Sequence, residues 1–155
     1  MLPCVTTPID RIDSRPMPIS HLTRIVEFTA GHRVRRADWT AAQNAQAFGK
    51  AATEHEHGYR VSVTVRGPLA ADQKGVVNLR ELDGVLREEI TARLDGKLIN
   101  EAIPDFADGK RLATGEALAV YFFERIAPRL PAGVRLHAVR VQESDHLYSE
   151  YFGEA

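Results

Sequence analysis

Cysteine is almost missing from this chain: 155 residues include only Cys4, so no internal disulfide can form. A lone thiol suits a reducing, cytoplasmic setting. No apolar run approaches the roughly 20 residues of a membrane-spanning helix, and the N-terminus lacks the charged-then-apolar order of a secretory signal. The expectation is a soluble cytoplasmic protein. Basic blocks are absent too, with 20 Lys and Arg against 21 Asp and Glu and a formal net charge of −1. That balance gives no electrostatic footprint for nucleic acid or an anionic membrane surface. Internal repeats and long linkers are also lacking. What remains is a chain 44% hydrophobic and 26% charged, long enough to bury one core.

Residues 1–20 carry Pro3, Pro8, Pro16 and Pro18 without helical or strand period, and read as a flexible N-terminal extension to a single domain over 21–155. The run His21 to His32 is β-branched and roughly alternating, which predicts a strand. Residues 33–54 read as a long loop with one helical turn. Its arginines, Arg33, Arg35 and Arg36, suit either a solvated rim or an anionic substrate. A second strand spans about Gly58 to Gly67, with Val61, Val63 and Val65 on one face. Pro68 to Gly75 is turn-rich, and Gly75-Val76-Val77 reads as a short extended return. Asn78 is a suitable N-cap for a helix carrying Leu79, Leu82, Val85, Leu86, Ile90 and Leu94, which stops at Asp95-Gly96. Residues 97–113 read as loop, and a second helix opens at Thr114 and runs to Ile126. Strands over Val134–Gln142 and His146–Phe152 complete the order β-β-α-α-β-β. This is an α+β domain: a four-stranded antiparallel sheet with two helices on one face.

The densest chemistry lies in Glu54-His55-Glu56-His57-Gly58-Tyr59. Alternation along an extended chain sends His55 and His57 to the same side, about 6–7 Å apart. His32 ends another strand-like run. Three histidines on one metal ion leave a fourth position open for water or substrate, which is the catalytic arrangement of zinc. By itself a His-x-His pair also occurs on wet sheet faces. Thr114 can be no more than an N-cap, Glu116 a first-turn carboxylate and Glu143 a surface residue.

An ordered set of segments goes further. It comprises Phe28-x-Ala30-x-His32-Arg33, Asn44-x-x-x-Phe48-Gly49-Lys50, His55-x-His57-x-Tyr59, Gly75-Val76-Val77-Asn78-Leu79, Leu94-Asp95, Thr114-x-Glu116-x-x-Ala119-Val120-Tyr121 and Val141-x-Glu143-Ser144. Over roughly 22–153 the chain resembles the 6-pyruvoyltetrahydropterin synthases and the related 6-carboxytetrahydropterin synthases, of tetrahydrobiopterin- and queuosine-related biosynthesis. The resemblance implies the tunnelling fold and a homohexamer of two trimeric rings with sites at subunit interfaces. It implies Zn2+ on His32, His55 and His57, and a pterin ring anchored by Glu143 with Thr114 and Glu116 lining its pocket. A carboxylate offers two acceptor oxygens to adjacent N–H donors, which suits that role.

Two departures stand out. The family's cysteine base corresponds to Ala51, and its Asp-His pair to Asp95-Gly96. The loop from Lys50 to His55 is also short, and Glu56 replaces the usual glycine between the histidines. Alanine moves no proton, and proton abstraction needs a base in hydrogen-bond reach. Asp95 and Glu54 are the remaining candidates. Glu56 should point away from the metal, and His146 is a more distant titratable group. The expected function is a zinc lyase acting on a pterin such as dihydroneopterin triphosphate by a modified mechanism. The alternatives are a zinc-containing pterin-binding protein without turnover and a retro-aldol lyase using a glutamate base.

Overall fold

Val61, Val63 and Val65 alternate with Ser62 and Thr64, and the strand they form is the spine of the sheet. The computed structural model describes residues 15–69 and 75–154. Most of the expected 1–20 extension, and the tip of the turn after Pro68, therefore lie outside the described residues. Strand β1 (Ile19–His32) pairs antiparallel with β2 (His55–Pro68) in one unbroken register, from Ile19 opposite Pro68 to His32 opposite His55. β2 pairs in turn with β4 (Arg135–Ser144), and β4 with β5 (Leu147–Tyr151).

The four expected strands are joined by a fifth. Lys97–Leu98 (β3) runs parallel to β1 at the sheet edge, giving the order β3-β1-β2-β4-β5. Two residues contribute no alternating pattern, so nothing local in the sequence marks this strand. The 33–54 stretch is also more regular than expected. It contains α1 (Ala41–Phe48), closed by a capping box in which Thr40 and Gln43 satisfy each other's backbone N–H, followed by a 3-10 turn over Gly49–Ala52. Residues 75–77 form a bend, not a strand, with Val77 in the core.

The first long helix, capped by Asn78, comprises α2 (Leu79–Leu86), a π-turn over Arg87–Thr91 and α3 (Ala92–Leu94). Leu82, Leu86, Ile90 and Leu94 are all buried along it. At the π-turn the buried Glu89 accepts from Arg125 Nε at 3.1 Å and Arg129 Nη1 at 2.8 Å, tying this helix to α5 (Gly115–Ile126). Between them lie α4 (Ile99–Ala102) and a 3-10 turn at Pro104–Phe106, where a loop was expected. The helices cover one face of the sheet. There Val61, Val63, Val65, Val139 and Val141 meet Leu118 and Phe122, all fully buried. No helix among the described residues is long and apolar enough to cross a membrane.

Gly153 closes β5 against α5 with φ of +78°, and a Cβ there would lie 2.6 Å from Phe123 Cζ. Gly153→Ala should therefore cost about 1–2 kcal/mol, from left-handed strain and displacement of the Phe123 ring off Tyr151. A lower urea midpoint with unchanged slope checks this, and an unchanged midpoint refutes it.

Candidate metal centre and binding cavity

The β1–β2 register places His32 opposite His55, with His57 two residues further along the same face of β2. The three imidazoles offer ligand atoms that all lie within 4.8 Å of one another. Ring centroids are 4.5 Å apart for His32 and His55, 5.0 Å for His32 and His57, and 4.8 Å for His55 and His57. Glu56, between the two β2 histidines, is exposed beside Gly31 on the opposite face, as alternation requires.

Tautomers follow from the backbone. His32 Nδ1 lies 2.7 Å from Ala113 O, and His55 Nδ1 lies 2.7 Å from Thr53 O. A carbonyl only accepts, so each Nδ1 carries a hydrogen, and Nε2 is the atom left to act as a ligand. His32 Nε2 is buried with no protein partner, an orphan acceptor that a cation would satisfy. Burial first, then the neighbouring His55 and His57, lower the His32 imidazole to about 4 against the opposing hydrogen bond to Ala113. His57 is lowered for the same first reason. Three imidazoles with ligand atoms this close together offer what a metal ion needs. The donor set fits such an ion.

A cavity of about 350 Å³ opens over these rings. Thr114, Gly115 and Glu116 form one wall at the start of α5, where the Thr114 hydroxyl accepts from Ala117 N–H. Glu143 forms another, its Oε1 3.8 Å from His32 Nε2. The register shift between Gln142 and Ser144 leaves Glu143 as the extra residue of a β-bulge, the device that re-aims a side chain at a sheet rim. Burial, then the nearby Glu116, raise the Glu143 carboxyl, with His55 opposing. Ala51 lies in the same wall, fixed by Val34 N–H donating to its carbonyl at 2.7 Å. Beyond the histidines, Glu116 and Glu143 are the titratable side chains lining this cavity.

Six of the eight expected site residues thus share one cavity, and two do not. Glu54 is exposed, 3.7 Å from Arg33 Nη1. Asp95 accepts from Thr29 N–H at 3.1 Å and lines a separate hollow with Phe28, Gly58 and Arg60. His146 is exposed in the β4–β5 turn. The arginines after His32 are engaged: Arg33 and Arg35 bind Asp108, and Arg36 binds Asp38. Ser149 and Leu147 also line the cavity, and no motif in the sequence marks them. Pairing the last strand back onto the one that bears Glu143 would have placed Ser149 on the cavity side.

Residues 21–154 match the family model described as 6-pyruvoyl tetrahydropterin synthase. The 6-pyruvoyl tetrahydrobiopterin synthase of Poecilia reticulata is 35% identical over 138 residues, covering 88% of this chain and 92% of that protein. The human protein of the same name is 34% identical over 137 residues, covering 87% and 92%. Among solved structures, Caenorhabditis elegans 6-pyruvoyl tetrahydropterin synthase superposes with a TM-score of 0.79 at 25% identity, covering 89% of this chain and 98% of that one.

Proposed function

The chain belongs to the 6-pyruvoyl tetrahydropterin synthase family, and from that premise we propose that it is a zinc-dependent lyase acting on a pterin of the dihydroneopterin triphosphate type. The observation that carries this reading is the convergence of His32, His55, His57 and Glu143 on one cavity. In it, His32, His55 and His57 hold the zinc, which when bound polarises the hydroxyl oxygens of the substrate side chain.

Glu143 accepts from the adjacent ring and amino N–H groups of the pterin, a bidentate pairing in a partly dry setting. Thr114 and Glu116 complete the wall around the ring. Ala51 offers no proton acceptor, and this reading engages Glu143 and Glu116 with the ring, so proton removal falls to another carboxylate. We assign it to Glu54, at the entrance to β2, with Asp95 as the second proton-handling group. Because Asp95 lies in a different hollow of its own chain, it can serve this cavity only from a neighbouring subunit. A homohexamer of two trimeric rings with sites at subunit interfaces meets that requirement.

The test is release of triphosphate from dihydroneopterin triphosphate by zinc-loaded protein. Glu54→Gln should lower kcat on the order of a hundredfold with zinc retained. A variant as fast as the parent removes Glu54 from this role. Acetaldehyde in place of triphosphate would identify the retro-aldol reaction. Tight pterin binding without either product would overturn the lyase reading.

A further inference from the structure

We propose that Ser149 is a ring-recognition residue: its hydroxyl donates to the acceptor atom beside the N–H pair that Glu143 holds. The inference rests on the assignment of Glu143 as the ring anchor and adds a second point of contact.

Antiparallel pairing sets Ser149 opposite Val141, so its side chain shares the helix-covered face with that buried valine. The place where it meets the cavity is defined by a missing side chain. A Cβ added to Gly115 would lie 3.1 Å from Ser149 Oγ and 3.2 Å from Glu143 Oε2. Both polar atoms therefore border the same small space at the first residue of α5, and both line the cavity that holds the three histidines. Among the described residues, no hydrogen bond engages the Ser149 hydroxyl.

The chemistry of the ring supplies the rest. A 2-amino-4-oxo pyrimidine edge presents an amino group and a ring N–H side by side, flanked by acceptors: a ring nitrogen on one side and a carbonyl oxygen on the other. Ionised Glu143 is acceptor-only and satisfies the two donors, but it can satisfy neither flanking acceptor. Glu116, when ionised, has the same limitation. A hydroxyl bordering the glutamate supplies the missing donor, and an acceptor buried without one loses its hydrogen bond to water.

Fluorescence titration of pterin on zinc-loaded parent, Ser149→Ala, Ser149→Thr and Glu143→Gln tests this. Ser149→Ala should raise the Kd about five- to tenfold, with zinc content and thermal midpoint unchanged. Ser149→Thr, which keeps the hydroxyl, should stay within about twofold of the parent. In turnover, the alanine loss should fall on KM more than on kcat, the signature of binding shared by ground and transition states. If Ser149→Ala binds pterin as tightly as the parent while Glu143→Gln does not, the proposal is wrong and the anchor stands. If the parent binds no pterin, or Glu143→Gln binds it equally well, the underlying reading fails and this proposal fails with it.

Discussion

His55→Ala should purify with less than about a tenth of an equivalent of zinc and lose activity on the order of a thousandfold or more, a loss that added zinc should not restore. Two imidazoles cannot hold an ion against water and buffer as three do, and the polarisation a bound cation supplies is worth several kcal/mol. His55 is the proposed ligand to remove because it is half-buried. His32 is 3% exposed and hydrogen-bonded to Ala113, so its loss would mix metal binding with folding. Elemental analysis of the parent and variant, with circular dichroism to show that the fold persists, decides the matter. Full zinc occupancy in a folded His55→Ala protein would remove the metal centre from this site.

Glu143→Gln should have the second large effect: a loss of about 2–4 kcal/mol in pterin affinity, or roughly 30- to 1,000-fold. The substitution keeps volume and shape but turns one acceptor oxygen into an NH2 group, so a donor faces a donor in a partly dry cavity. Zinc binding should survive, since Glu143 is not one of the three proposed ligands. Isothermal titration with pterin and metal analysis on one sample separate the two effects. Equal pterin affinity in variant and parent would show that the ring is held elsewhere.

Much of this architecture was legible in the chain because its causes are local. Val61, Val63 and Val65 announce a one-sided strand, and the same period of two puts His55 and His57 together and Glu56 away from them. Thr114 and Asn78 both open helices as their side chains suggest. The capping box at Thr40 and Gln43 was equally local, and α1 could have been recognised from it. Other features depend on partners distant in sequence. Two residues at Lys97–Leu98 become a strand only because β1 offers an open edge there. Glu143 points into the cavity through a bulge between strands that sequence alone does not align. Ser149 gains its meaning from a glycine more than thirty positions earlier. The family resemblance carried the Glu143, Thr114 and Glu116 assignments, and the structure brings all three into one cavity. It could not say that Asp95 would sit in a different hollow of the same chain.

The wide turn at Arg87–Thr91 has a consequence for helical phase. Leu82, Leu86, Ile90 and Leu94 are spaced four apart throughout, whereas an ideal α-helix repeats every 3.6 residues, so each step drifts by about 40° and three steps by roughly 120°. On a regular helix the last of these side chains would swing away from the sheet. A turn closed by Ala92 N–H on Arg87 O spans five residues and takes up most of that drift, keeping all four in one line. The same correction fixes the angle at which the helix delivers Asp95 to Thr29. The bearing of that carboxylate is thus set upstream, in the π-turn.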